Sequence, residues 1–227
     1  MGRERQQAAG PSWLRWTVMT SAGWFVGFFG GFTLASAFEP IVGNGPVQAT
    51  GAYALLGVCL GAGVGWMQWL ALRRHIAGSG SWIWASAVGM GVAGGAGYGV
   101  AVLLFGYSEG LEDLASAAGV VGWMLAAAFG GTVTGLLQRR VLAPHLRKPG
   151  WWVPASTFGW LLSIAAFGSM GVLGSSFVAE SSPVGAGWFF AGLIAGGVVL
   201  GVVTGGALVR LLSDGLPRPE RAPLTGA

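Results

Sequence analysis

The sequence predicts an all-α integral membrane protein with six transmembrane helices, and its composition and charge distribution carry that prediction. Asp, Glu, Lys and Arg make up 9% of the 227 residues, where a soluble domain has about 25%. Hydrophobic residues make up 53% and the mean hydropathy is +0.66. The 12 Trp and 12 Phe argue against a disordered chain, and the 43 glycines lack the three-residue period of collagen.

Each predicted helix is an apolar stretch free of Asp, Glu, Lys and Arg. A helix needs about 20 such residues to cross the hydrocarbon core. A β-barrel would instead show short segments of alternating polarity. The six predicted spans are Thr17–Phe38, Gly51–Leu72, Trp82–Tyr107, Ala115–Gln138, Trp151–Leu173 and Gly185–Leu208.

The loops between the predicted spans alternate in the sign of their charged residues. All 12 Lys and Arg lie in the two terminal segments and in the second and fourth loops. The first, third and fifth loops contain only acidic charges, at Glu39, Glu109, Glu112, Asp113 and Glu180. The positive-inside rule then predicts that both termini and the even loops lie in the cytoplasm. The predicted location is the cell membrane, in bacteria the inner membrane, which the chain crosses several times.

The net charge of +4 has two interpretations, a nucleic-acid partner or topological anchoring. We favour anchoring, with no nucleic acid bound and with anionic lipid head groups at Arg73, Arg74, Arg139 and Arg140. Tryptophans flank the same helix ends and are expected in the aromatic belt of the bilayer: Trp13, Trp16, Trp82, Trp84, Trp151 and Trp152.

The N-terminal segment also has a second interpretation, as a secretory signal. Basic residues and an apolar run precede Ala35-Ser36-Ala37, which imitates a cleavage site. The run of about 20 residues is long for a signal peptide, and the first span takes part in the internal repeat. We therefore expect it to be retained.

The spans form three repeats of one helical hairpin. The odd spans begin with Trp-x3-Ser/Thr-x2-Gly, at Trp16, Trp82 and Trp152, and the even spans end with Gly-x3-Gly. The register is 70 residues for the even spans, and 66 and then 70 for the odd spans. Parallel repeats of this kind predict approximate threefold pseudosymmetry about an axis along the membrane normal. The predicted boundaries are a cytoplasmic tail over 1–16, a transmembrane domain over 17–212 with repeats 13–75, 81–145 and 151–212, and a disordered tail over 213–227.

The repeated glycines follow helical spacing. Small residues let helix backbones approach closely in lipid, where apolar side chains alone give little reason to associate. We therefore predict that these stripes are the seams between helices and that Leu, Val and Phe face lipid. The helix-packing residues are Gly61, Gly65, Gly131, Gly135, Gly201 and Gly205.

Gln68 and Gln138 are the most polar side chains of the spans. They could line a binding site on the bundle axis, or form hydrogen bonds between helices. We favour the second interpretation, because the third repeat has Leu208 at this position.

No residue pattern predicts a catalytic, cofactor or metal site. His75 and His145 occupy equivalent positions but have no Cys or carboxylate at ligand spacing. Cys59 is the single cysteine and fits a packing role. The acidic third loop could bind a divalent cation weakly, although solvation explains it as well.

The motif from Gly65 to Arg74, GWMQWLALRR, together with Trp151-Trp152 and Ser156-x2-Gly159-Trp160, resembles uncharacterised bacterial multi-pass membrane proteins with repeated GxxxGxxQWLxLRR and WWxxxSxxGW hairpins. The resemblance covers most of the spans, and the third repeat departs from it. It implies a bacterial inner membrane and no particular activity. Mitochondrial carriers also have three two-helix repeats, but their Pro-x-Asp/Glu-x2-Lys/Arg signature is missing.

The leading hypothesis is a non-enzymatic structural or accessory component of a membrane complex, with other membrane subunits as partners. The alternatives are a passive channel or facilitator for a small neutral solute, and a lipid- or pigment-binding protein. Spans without ionisable residues argue against proton-coupled transport. A continuous polar path between the helices would favour the facilitator, and a packed axis would argue against it.

Overall fold

The computed structural model describes residues 12–42, 45–105, 117–177 and 183–215. All regular structure in these residues is helical. There are six α-helices, and a short 3-10 turn at Pro149–Trp151 precedes the fifth. The helices are α1 (Trp13–Val42), α2 (Pro46–Leu72), α3 (Ser81–Phe105), α4 (Ala117–Leu142), α5 (Trp152–Phe177) and α6 (Pro183–Gly215).

The helices agree with the six predicted spans and extend beyond most of them by a few residues. α6 continues through Ser213 to Gly215, three residues into the segment predicted as a tail. Residues 216–227 and the acidic third loop lie outside the described residues.

Over the residues whose side chains the structure describes, five of the helices are long and apolar enough to cross a membrane, and α3 is not among these five. The part of α3 whose side chains the structure describes contains six glycines together with Trp82, Trp84 and Tyr98. At about 1.5 Å per residue, the 25 residues of α3 still exceed a hydrocarbon core of about 30 Å. The multi-pass character is therefore confirmed, and a membrane crossing by α3 itself stays a prediction.

The described parts of the six helices form a closed ring. Each helix packs against the helices before and after it in the chain, and α6 packs against α1. No other pair of helices has backbones in contact within the described residues. The sequence left open whether the ring closes, and the α1–α6 contact closes it.

The beginnings of α1, α3 and α5 lie at the same end of the ring as the ends of α2, α4 and α6. Arg15, in the first turn of α1, donates a hydrogen bond to the carbonyl of Leu70 near the end of α2, at 3.3 Å. Trp16 reaches Thr204 on α6 at 2.9 Å. We call this the basic end, because it carries Arg15, Arg73, Arg74, Arg139, Arg140, Arg147, Lys148 and Arg210.

The two described loops at the basic end fold back into the ring. After α2, the backbone N–H of Ile76 donates to the Leu72 carbonyl, and after α4 that of Leu146 donates to Leu142. Both loop side chains are buried in one apolar cluster with the last leucines of the helices. Gly78 makes the turn before α3 with φ +71°, a conformation that favours glycine. Apolar side chains therefore seal the ring beneath its charged surface.

Large apolar side chains cover the outer surface of the ring. Leu14, Phe32, Leu103 and Phe158 are each more than half exposed. A helical bundle with an apolar exterior is suited to contact with lipid tails. The described structure is thus that of an integral membrane protein in contact with the bilayer.

Candidate functional site

Three tryptophans meet inside the ring near the basic end. Trp16, Trp82 and Trp152 come from α1, α3 and α5 and are 0%, 0% and 1% exposed. Their ring centroids are 6.0 Å (Trp16–Trp82), 6.2 Å (Trp16–Trp152) and 5.4 Å (Trp82–Trp152) apart. Both contacts of Trp16 are edge-to-face, a favourable geometry for aromatic rings. Because α1, α3 and α5 are not neighbours in the ring, these contacts cross its interior, and we call them the tryptophan layer.

The expectation of an aromatic belt is therefore wrong for half of these tryptophans. Trp16, Trp82 and Trp152 point into the bundle, where their large apolar rings fill its interior. Only the other three remain exposed, as a belt requires: Trp13 (44%), Trp84 (73%) and Trp151 (68%).

Gln68 links three helices beside the tryptophan layer. Its side-chain nitrogen donates to Thr20 Oγ1 on α1 at 3.1 Å, and its oxygen accepts from Trp82 Nε1 on α3 at 3.0 Å. Gln68 itself lies on α2 and is 3% exposed. The carboxamide thus joins its own hairpin to the next one.

Gln138 makes the same connections one hairpin later. Its nitrogen donates to Ser86 Oγ on α3 at 2.8 Å, and its oxygen accepts from Trp152 Nε1 on α5 at 2.8 Å. Ser86 in turn donates to the Trp82 carbonyl at 2.8 Å. A hydrogen-bonded chain therefore runs from α3 through α4 to α5.

The third junction, between α6 and α1, uses a different acceptor. Leu208 stands where the other hairpins have glutamine and is fully buried. Trp16 Nε1 donates instead to Thr204 Oγ1, one turn earlier on α6, and Thr204 donates to the Leu200 carbonyl at 2.6 Å. All three indole N–H groups of the tryptophan layer are therefore hydrogen-bonded to the preceding even helix.

This arrangement favours a structural role for Gln68 and Gln138 over a solute site. The oxygen and the nitrogen of each carboxamide are bound by the protein's own side chains, within a layer of buried indoles. Hydrogen bonds between membrane helices contribute roughly 0.6–2 kcal/mol each. Neutral amides, indoles and hydroxyls hold helices together, and the layer contains no ionisable group.

The repeated glycines of the even helices lie against the following odd helix. A Cβ added to Gly61 would collide with the Ser86 carbonyl oxygen, and one added to Gly65 would lie 2.7 Å from Ser86 Cβ. On α4, a Cβ at Gly131 would lie 2.7 Å from Thr157 Cα, and one at Gly135 would lie 3.0 Å from Ser156 Cβ.

The same contact closes the ring between α6 and α1. A Cβ on Gly201 would lie 2.6 Å from Thr17 Cα, and one on Gly205 would lie 2.7 Å from Trp16 Cδ1. These distances leave no room for a side chain. The repeated glycines of the even helices thus form junctions between successive hairpins.

A second seam joins the helices within a hairpin. On α1, added Cβ atoms at Gly23 and Gly27 would lie 2.6 Å from Val64 Cα and 2.7 Å from Leu60 Cα. On the facing side of α2, a Cβ at Gly63 would lie 2.7 Å from Gly27 Cα. Gly63 is not part of the repeated stripe, and only its contact with α1 reveals its role.

The histidines and the cysteine lie apart from the tryptophan layer. His75 and His145 are exposed in the loops of the basic end, and His75 Nδ1 lies 3.2 Å from the Ala71 carbonyl oxygen. Cys59 is half-buried on α2. No group of three or more His, Cys, Asp or Glu that could hold a metal ion occurs in the described part of the chain.

A second interior layer lies about two turns further from the basic end. Trp24 and Trp160 pack with ring centroids 5.1 Å apart, in one buried cluster with Met90. Two buried polar atoms near this level, Trp24 Nε1 and Thr134 Oγ1, have no hydrogen-bond partner among the described residues. A buried polar group without a partner lowers stability.

We expect Thr134→Val to leave the free energy of unfolding unchanged or to raise it by up to about 1 kcal/mol, because the lost hydroxyl has no partner. Val64 already occupies the equivalent position of the first repeat. The matched variant is Thr204→Val, at the equivalent position of the third repeat, which removes the acceptor of Trp16 Nε1. Thr204→Val should lower the free energy of unfolding by about 1–3 kcal/mol. Thermal unfolding in detergent measures both variants. Equal effects on stability would contradict the assignment of Thr204 as a hydrogen-bond acceptor and of Thr134 as a buried hydroxyl without a partner.

Comparison with protein-family models, with curated proteins and with solved structures finds no match.

Proposed function

We propose that this chain is a non-catalytic integral membrane protein that serves as a structural or accessory component of a membrane complex. The observation that carries the proposal is the filled interior of the ring. A protein that conducts or carries a solute needs a path or a cavity between its helices. Here buried indoles in mutual contact occupy the interior at the basic end.

The packing continues away from the basic end. Trp24 and Trp160 contact each other across the interior, with Met90 in the same cluster. Further along α1, Phe28 contacts Phe167 on α5, with ring centroids 6.2 Å apart. Aromatic contacts at successive levels support a rigid bundle and count against the passive facilitator.

The junctions between hairpins support the same role. They combine close backbone approach at glycines with hydrogen bonds through Gln68, Gln138 and Thr204. A bundle fixed in this way holds its outer faces in constant positions. Such faces are suited to bind neighbouring membrane subunits.

The three hairpins make equivalent junctions around the ring, which supports their interpretation as copies related by approximate threefold pseudosymmetry. We further propose that the basic end faces the cytoplasm, as its Lys and Arg residues favour. Anionic lipid head groups would then contact Arg73, Arg74, Arg139 and Arg140. We also propose a bacterial inner membrane as its location, which the resemblance in sequence motifs favours.

We expect the affinity-tagged full chain to be recovered with other membrane proteins at constant stoichiometry after cross-linking in the native membrane. Solubilisation in mild detergent and quantitative mass spectrometry would measure this. Cross-links should involve the exposed helix faces. A control purification with an unrelated tagged six-helix protein removes nonspecific associations.

A parallel measurement separates the accessory component from the facilitator. Proteoliposomes that contain the chain should take up glycerol no faster than protein-free liposomes. Faster uptake would contradict the proposal, and so would recovery of the chain without cross-linked partners.

A further inference from the structure

A groove opens on the outer surface of the ring between α3 and α4, at the basic end. Its volume is about 370 Å³. Its wall combines apolar side chains with one hydroxyl and one guanidinium, and the lining residues are Ser81, Trp84, Ala85, Val88, Leu137, Arg140 and Val141. The groove lies outside the tryptophan layer and plays no part in closing the ring.

The polar and apolar parts of the groove are separated along the helices. Ser81 is the first residue of α3, and Arg140 lies in the last turn of α4. Val88 lies two turns further from the basic end and is 50% exposed. The first turn of α3 adds the partial positive charge of a helix N-terminus to that of Arg140. A ligand that fits both parts has an anionic head and an apolar tail.

The register of the repeat explains why this groove is open. Ser81 is equivalent to Arg15 in the first hairpin and to Trp151 in the third. Arg15 extends to the carbonyl of Leu70, and Leu70 is the residue equivalent to Arg140. At this position the first hairpin therefore holds the guanidinium of Arg15, and the third hairpin holds the indole of Trp151. In the second hairpin the smaller Ser81 leaves the space between α3 and α4 open.

The neighbouring basic residues differ from Arg140. Arg139 is exposed but does not line the groove, and Arg73 lies over the ring of Trp69 at 5.3 Å. The only acidic residue whose side chain the structure describes is Asp214, on α6. Within the described residues, no carboxylate on α3 or α4 competes with an anionic ligand of Arg140.

We propose that the α3–α4 groove binds one anionic phospholipid, an inference that rests on the contact of Arg140 with anionic head groups proposed above and gives it a defined site. Arg140 and the Ser81 hydroxyl hold its phosphate, and one acyl chain lies along Val88, Leu137 and Val141. Guanidinium groups bind phosphate through strong charge-assisted hydrogen bonds. Trp84, 73% exposed at the edge of the groove, suits the head-group region, where tryptophan is enriched.

Native mass spectrometry of the full chain, released from detergent with added phosphatidylglycerol, tests the proposal. We expect one tightly retained phosphatidylglycerol and at least fivefold weaker retention of phosphatidylcholine. Arg140→Gln should reduce the retained phosphatidylglycerol by about fivefold to tenfold. Arg210→Gln is the matched control, since it removes the same charge at the equivalent position of the third hairpin, outside the groove, and it should have little effect.

A second variant tests the groove independently of charge. Ser81→Trp places in the second hairpin the side chain that the third has at Trp151, and it should displace the lipid although every arginine remains. Thermal unfolding of each variant verifies that the bundle is intact. Equal losses of phosphatidylglycerol from Arg210→Gln and Arg140→Gln, or unchanged retention in Ser81→Trp, would overturn the proposal. Equal retention of phosphatidylglycerol and phosphatidylcholine would also overturn the proposal. Displacement of the bound phosphatidylglycerol by an acidic partner peptide would overturn it as well.

Discussion

Replacing Gly61 by leucine is expected to destabilise the bundle by at least about 3 kcal/mol, the upper part of the usual range for overpacking. Even a single Cβ at this position would collide with the carbonyl oxygen of Ser86. That oxygen belongs to the backbone of α3, so rotation of a side chain cannot relieve the clash. The two helices would have to separate, and the hydrogen bond from Gln138 to Ser86 would be strained as well.

Gly51 provides a matched control on the same helix. A Cβ added there meets nothing within 4 Å, so Gly51→Leu should leave stability nearly unchanged. Thermal unfolding in detergent, followed by tryptophan fluorescence, measures both variants. If Gly61→Leu unfolds at the same temperature as Gly51→Leu, the close α2–α3 contact is not a major source of stability.

The helices and their small-residue spacing could be predicted from the sequence because both depend on local composition. Charge-free stretches of about 20 residues define spans directly. Glycines four residues apart lie on one face of a helix, as Gly61 and Gly65 do. The sequence does not say which neighbour that face contacts. In the structure it contacts α3 of the next hairpin, and Gly63 contacts α1 of the same hairpin.

The environment of the tryptophans could not be predicted from their position near the helix ends. A tryptophan there can face lipid or the interior, and the rotation of the helix, set by packing, decides between them. Trp151 and Trp152 are neighbours in the chain, yet one is exposed and the other is buried. The repeat contained a usable signal. Trp16, Trp82 and Trp152, which occupy the position shared by all three hairpins, are buried, whereas Trp13, Trp84 and Trp151 each occur in only one hairpin and are exposed.

The pairing of Gln68 with Trp82 and of Gln138 with Trp152 could not be predicted from the sequence either. Each bond joins two consecutive hairpins, and a repeat does not specify how its copies pack together. The absence of glutamine at Leu208 argued against a strictly threefold site. The structure adds that Thr204 accepts the hydrogen bond of Trp16 in its place, so every indole of the layer keeps an acceptor.

Truncation of Trp152 to alanine should have the other large effect on stability. Removing a buried aromatic side chain costs about 3–5 kcal/mol through lost burial and the cavity that remains. Trp152 is 1% exposed and contacts both other indoles of the tryptophan layer. Its loss also leaves Gln138 Oε1 without the indole donor at 2.8 Å. Loss of a partner for a buried acceptor adds about 1–3 kcal/mol.

Two further variants separate these contributions. Trp152→Phe keeps an aromatic ring and removes the N–H donor, so it should cost less than the alanine variant by about 2 kcal/mol or more. Trp151→Ala removes the adjacent, exposed ring and should change stability by no more than about 0.5 kcal/mol. Chemical or thermal unfolding in detergent measures all three. The tryptophan layer would lose its assigned role if Trp151→Ala were as damaging as Trp152→Ala, because the two positions share sequence context and differ in burial.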